Sequence, residues 1–309
     1  MESRTKSLQV THVHGEHVSI GCRGIELLRY VYRPDPAAFE CPKPYVHPLR
    51  TLGGSGVTGY RPSDHRWHKG LQMTASHLSG QNFWGGNSYV PGFGYQELPE
   101  RVGSMRHDGF PVLVAEDDHV RLGEELTWIT RGGEQWARER RGLLVHSIDA
   151  DAGSWALDWT IDLTNLRDEP LRFGSPTTAG REMAGYTGLQ WRGPRDFTGG
   201  TVIGSTDTGP PMGAQSAWLA FTARRDGVDA DSTLVFAHAP ENLDASTAIN
   251  SSHWFVRSEP VPTVAFSWAF FEEFTLPPGT SFSYRYRVVV ADGAWDRDGV
   301  AAHLKDLPW

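Results

Sequence analysis

The densest group of chemically capable side chains is Asp64-His65-Arg66-Trp67-His68-Lys69-Gly70, which follows Pro62 and leads into an apolar run at Leu71. Two imidazoles three residues apart titrate near neutral pH and suit proton transfer, or they supply two ligands to a metal ion. The segment has no helical pattern, so spacing alone does not set their directions, and solvated loop histidines fit it equally. A metal site would need a third ligand. His107, His238 and His253 are the candidates, but no second spaced motif selects one. Asp64 adds a carboxylate to the group, and Glu97 is a second candidate base.

Asn82-Phe83-Trp84-Gly85-Gly86 follows. An indole face stacks on a sugar-like ring and an amide bonds its hydroxyls; a tight turn anchored by a buried Trp84 reads the same way. Ser104-Met105-Arg106-His107 places a cation and an imidazole at a strand edge. His238 ends the apolar run Thr233–Phe236, where it is firmly held either for catalysis or as a core residue. Arg50, Arg192 and Arg257 stand beside turns or aromatics. The guanidiniums of Arg50 and Arg192 would clamp an anionic group or a developing oxyanion; a structural ion pair is the other reading for Arg50. The expected catalytic set is His65, His68, His107, His238 and Arg50. Asp64, Trp67, Asn82, Trp84, Arg192, Trp254 and Arg257 are expected around the substrate.

The elements that must carry these groups are strands. Ala156–Leu163 alternates with Leu157, Trp159, Ile161 and Leu163 on one face, and Phe282–Val288 alternates likewise. Similar runs cover His17–Gly21, Ile25–Tyr32, Leu71–His77, Val120–Ile129, Gln135–Asp149, Trp218–Arg224 and Thr263–Glu272. Pro277-Pro278-Gly279 reads as a hairpin between two long strands. Only Val300–Leu307 has helical spacing. Glycine (34) and proline (20) run above their usual combined share of roughly 12%, which fits many turns. The expected fold is all-β: one domain over residues 1–309, a large antiparallel sandwich with one short C-terminal helix. The Gly/Pro-rich stretches 34–62 and 79–99 are long loops, where function usually resides.

Several classes are excluded. Net charge is −8 with no basic stripe, so the footprint of a nucleic-acid binder is missing. No apolar stretch is long enough to span a bilayer and no signal core opens the chain. Two cysteines, Cys22 and Cys41, make neither a disulfide framework nor a thiolate zinc site. Free thiols in the cytoplasm are the expectation. Phosphate-cradling, dinucleotide and nucleophile-elbow motifs are missing. The expected partner is a small sugar-like molecule, with no cofactor, no nucleic acid and no membrane; assembly into a homo-oligomer is left open.

Taken together, Tyr45-x-His47-Pro48-Leu49-Arg50-Thr51, Asp64-His65-x-Trp67-His68-Lys69-Gly70 and Asn82-Phe83-Trp84-Gly85-Gly86 resemble the bacterial family catalogued as PmoA-like, or "methane oxygenase PmoA". Gly92-x-Gly94-Tyr95, Gly103-Ser104-Met105-Arg106-His107, Trp191-Arg192-Gly193-Pro194 and Trp254-Phe255-Val256-Arg257 fit its actinobacterial branch. The resemblance runs from about Tyr45 to Gly293. It implies a galactose-mutarotase-like supersandwich and carbohydrate chemistry, in a family of unknown biochemical function. Copper-dependent methane oxidation does not carry over, because the methane monooxygenase subunit of that name lies in the membrane and this chain has no span. Other branches carry a His directly before the second His of the first motif; here that position is Trp67, which weakens a metal reading. The expected function is acid–base chemistry on a sugar or glycoside, as an epimerase, lyase or hydrolase. A sugar- or metabolite-binding protein without catalysis and a His-ligated metal enzyme are the alternatives.

Overall fold

Residues 8–206 and 211–309 are described by a computed structural model. Two eight-stranded antiparallel sheets carry the chain. The first runs, in spatial order, Leu8–Val13, His17–Cys22, Ile25–Val31, Tyr45–Leu49, Leu71–Thr74, Gly188–Arg192, Thr263–Ser267, His253–Arg257. The second runs Thr201–Gly204, Trp218–Arg225, Ala230–His238, Ser281–Asp292, Ser154–Asn165, Gln135–Asp149, Val120–Ile129, Ser104–Ala115. A three-stranded sheet and the small hairpin Ser88–Val90/Gly94–Gln96 add to them. The expected all-β architecture is therefore observed, with one short α-helix among the described residues, Arg297–Lys305. Asp296 caps that helix by accepting a hydrogen bond from the Gly299 N–H.

Period-two patterning explains how the sheets pack. Trp159 pairs with Tyr286, Ile161 with Tyr284 and Leu163 with Phe282 across the centre of the second sheet, and all six are buried. From the first sheet, Trp191 meets Phe221 and Phe236 at ring-centroid distances of 5.2 and 5.4 Å, and Phe266 meets Tyr286 at 4.5 Å. These aromatics form the shared core. Cys22 and Cys41 are both buried, and no disulfide joins them. Among the described residues no helix is long and apolar enough to cross a membrane.

Three local readings need correction. Leu71–His77 is not one strand: it breaks after Thr74 and resumes at His77–Leu78 in the three-stranded sheet. The strand expected over Thr263–Glu272 stops at Ser267. The Pro277-Pro278-Gly279 turn does not pair its flanks, because Phe274–Leu276 bonds to Leu171–Gly174 instead. Apolar runs continue past strand ends wherever a loop is buried as deeply as the sheet, so the pattern overshoots the hydrogen bonding.

Candidate functional site

The floor of the site is the face of the first sheet turned away from the second. Alternation fixes it: Leu189 and Trp191 point into the core, so Gln190 and Arg192 point the other way. Gln72 Nε2 donates to Gln190 Oε1 at 3.0 Å, and Gln190 Nε2 donates to Thr263 Oγ1 at 3.1 Å. A buried polar ladder thus ties three strands together. Phe255 and Arg257, on the edge strand, share this face, while Trp254 and Val256 turn inward.

Loops build the walls. Gln72 Nε2 also donates to the Trp67 carbonyl at 3.1 Å, fixing the loop to the floor. Behind it, Glu40 takes both Arg61 and Lys69, the latter at 3.0 Å. The Trp67 indole lies on the backbone of Gly85 and Gly86, whose φ angles are 101° and 69°. A Cβ at Gly86 would overlap the indole, so this position requires glycine on both counts. Trp84 meets His68 edge-on at 5.4 Å and Tyr186 at 4.5 Å. The result is a cavity of about 380 Å³, walled by Trp67, Trp84 and Tyr186 and bordered by Asp64, His65 and His68. Arg181, Tyr95 and Arg257 border it as well.

The central polar relationship is Arg192 Nη1 to His68 Nδ1, 3.1 Å apart and buried. A guanidinium only donates, so Nδ1 must be the acceptor and the ring proton must sit on Nε2. Nε2 has no partner among the described residues. His68 is therefore a neutral N–H donor at the pocket wall. Burial, followed by the charge of Arg192 and then those of His65, Lys43 and Lys69, holds its pKa well below the ordinary histidine value. His65 is half-exposed, its ring centroid 5.0 Å from that of His68. Asp64 Oδ2 lies 3.1 Å from His65 Nδ1, off the hydrogen-bond axis. Burial raises the Asp64 pKa, but contact with His65 and its own backbone N–H outweigh it, leaving the carboxyl below its usual value. An acid held below its usual pKa, a half-exposed imidazole and an imidazole locked as donor thus stand side by side.

The other expected site residues do not converge here. His238 lies between the sheets, 4.4 Å from Trp254 and 5.0 Å from Phe266 by ring centroids. It is on the opposite side of the first sheet from His68, and burial takes its pKa down to about 3. Trp254 is fully buried, its Nε1 donating to the Ser216 carbonyl at 3.0 Å; alternation forbids it from sharing a face with Arg257. His107 contacts Glu124 at 2.6 Å in a buried network with Tyr30, Arg141 and Glu139, away from the pocket. Arg50 pairs with Glu26 at 2.9 Å, the structural alternative. Asn82 is buried beneath the site. Its Oδ1 accepts from the Trp84 and Gly85 amides at 2.8 and 2.9 Å, and its Nδ2 donates to Gly86 O and Ser88 Oγ, so it shapes the turn rather than facing a ligand. Glu97 does not border the cavity.

Sequence reasoning missed Arg181, Tyr186, Tyr95, Phe255 and Thr263. Phe255 and Thr263 follow from strand parity once the neighbouring strands are known. Arg181 and Tyr186 lie in a loop with no periodicity, and only the fold brings them to His68. Among the described residues, the one group with metal-ligand proximity is Glu116, Asp118 and His119, none of which borders the cavity; no third ligand joins His65 and His68.

Three solved structures are similar in arrangement at low identity. An α-galactosidase from Lactobacillus brevis is 10% identical with a TM-score of 0.42, over 92% of this chain and 40% of its own; this chain spans less than half of that enzyme. A galactose 1-epimerase from Lactobacillus acidophilus is 7% identical with a TM-score of 0.40, over 93% and 100%. An aldose epimerase homologue from C. elegans is 10% identical with a TM-score of 0.33, over 94% and 99%. No curated protein matches the chain. The family match does not carry the PmoA-like name that the motifs suggested: over residues 17–305 the chain belongs to the family of unknown function DUF6807.

Proposed function

We propose that the pocket binds a single sugar ring and performs proton transfer on it, chemistry of the epimerase or lyase type. The observation that carries this reading is the Arg192–His68 bond, which leaves the Nε2–H of a residue lining the cavity without a partner among the described residues, beside aromatic walls. His65, backed by Asp64, accepts or returns a proton, and His68 Nε2–H stabilises charge that develops on a sugar oxygen. Trp67 and Trp84 provide the stacking surfaces. A volume of about 380 Å³ lies near the lower end of the ~300–1,000 Å³ typical of ligand pockets, which favours a monosaccharide over a longer chain. Glycoside hydrolysis of the ordinary kind asks for two carboxylates flanking the bond. Asp64 is the one carboxylate bordering this cavity among the described residues, so hydrolysis is the less supported variant.

The test is incubation with a panel of monosaccharides in D2O. NMR follows anomeric interconversion and carbon-bound hydrogen exchange. Acceleration by the wild type that is lost in His65→Gln and in His68→Gln is expected. Sugar binding without acceleration for any panel member would reduce the protein to a binding module; an absence of binding to every sugar would end the carbohydrate reading.

A further inference from the structure

Most arginines near the core of this acidic chain have carboxylate partners: Arg50 with Glu26, Arg61 with Glu40, Arg141 with Glu139, Arg225 with Asp196, Arg287 with Asp158. Arg181 and Arg257 differ. Both border the cavity, both are partly buried, and neither pairs with a carboxylate among the described residues. The Arg257 guanidinium lies over the Phe255 ring at 5.2 Å and that of Arg181 over the Tyr95 ring at 4.9 Å. Stacking holds a planar guanidinium by its face and leaves N–H donors on its edge for another group. Arg181 also donates to the Tyr95 hydroxyl, which lies 2.7 Å from that of Tyr186.

The electrostatics point the same way. Burial, and next the like charge of Arg181, lower the pKa of Arg257, with only the Tyr95 and Tyr186 hydroxyls acting against them. Two cations held side by side and partly out of water repel each other and lose hydration. An anion placed between them would reverse both penalties. Asp64 does not serve, since it acts on Arg192 and is not among the groups acting on Arg257.

We propose that Arg181 and Arg257 form an anion subsite and that the sugar taken by this pocket carries an anionic substituent, a carboxylate or a phosphate ester. The proposal rests on the sugar-binding reading above and adds its substrate class. The ring stacks on the Trp67 and Trp84 walls, its anionic group meets the two guanidiniums, and His68 faces the ring oxygens.

Binding is measured by tryptophan fluorescence and calorimetry at constant ionic strength. The probes are glucuronate and galacturonate, glucose 6-phosphate and galactose 6-phosphate, and neutral glucose and galactose. At least one anionic probe is expected to bind ten-fold or more tightly than its neutral parent, with the advantage shrinking as salt is raised. The uronate and phosphate arms decide which anion is preferred. Arg257→Gln and Arg181→Gln are each expected to erase that advantage, lowering anionic-sugar affinity several-fold more than neutral-sugar affinity, in variants that still unfold cooperatively. Arg257→Lys, which keeps the charge and loses the fork, is expected to retain part of it. Equal binding of anionic and neutral sugars, or variants that weaken both alike, would overturn the anion subsite and leave the sugar pocket standing. Failure of all six probes to bind would overturn both.

Discussion

Arg192 holds His68 by its Nδ1 at 3.1 Å, so a cation from a central strand sets the tautomer of an imidazole on a loop 124 positions earlier. The pairing makes His68 a donor and keeps it neutral. An Arg192→Met variant frees Nδ1 and removes one of the charges that lower the ring's pKa. The His68 titration, followed by NMR, should move up towards the ordinary value while remaining below it, because burial is the larger cause. A proton-transfer rate that falls with little change in sugar affinity should accompany it; an unmoved titration would show that Arg192 does not govern the ring.

The two indoles should separate on mutation. Trp84 is 6% exposed, so Trp84→Ala should cost ~3–5 kcal/mol of stability as well as sugar binding. Trp67 is more open, and Trp67→Leu should weaken sugar binding several-fold, in line with the ~0.5–1.5 kcal/mol of an aromatic contact. Its melting temperature should fall far less than that of Trp84→Ala. Equal stability losses would make Trp67 a packing residue and remove it from the ligand wall.

Gly86→Ala places a methyl group in the Trp67 ring at a φ of 69°. Overpacking and backbone strain together should cost about 1–3 kcal/mol, and the displaced indole should lose its fluorescence response to sugar. A stable variant with a normal response would mean that the loop relaxes freely.

Buried histidines should make the protein labile to mild acid. Burial, joined by the charges of Arg50 and Arg29, takes His47 down to about 4, and burial takes His238 down to about 3. Above pH ~6.5 these rings are neutral in both folded and unfolded protein, and their contribution is complete. As the pH falls, the unfolded chain binds protons that the folded chain still refuses. Stability should therefore drop with decreasing pH from ~6.5 towards 4, by up to about 1.4 kcal/mol per pH unit for each ring. Urea titrations from pH 7 to 4.5 check this, and His238→Gln should flatten the slope. An unchanged slope would show that His238 titrates normally.

His107→Gln should leave sugar binding intact. Removing the imidazole takes one partner from the buried Glu124 carboxylate and leaves the Tyr30 hydroxyl and the charge of Arg141, so a loss below the ~3–5 kcal/mol of a fully broken buried pair is expected. Loss of binding in a folded variant would reconnect His107 to the pocket.

The sequence alone determines the fold class, because alternation in Ser154–Asn165 and Ser281–Asp292 can be satisfied only by strands with one buried face. It also marks the loop from Asp64 to Gly70, where side chains capable of chemistry are densest. What it could not decide is which distant residues join them. Gly188–Arg192 alternates over only five residues before Gly193-Pro194 and reads as a turn beside an arginine; only the strand order puts Arg192 under His68. Trp254 and Arg257 look like one aromatic-plus-cation motif, yet three residues along a strand means opposite faces, and only the tertiary structure says which face meets the core. His107, His238 and Arg50 match the residue types of a catalytic set but find partners in Glu124, the inter-sheet aromatics and Glu26. Residue type limits what a side chain can do; burial and the neighbours that folding brings decide which of those options it is free to use.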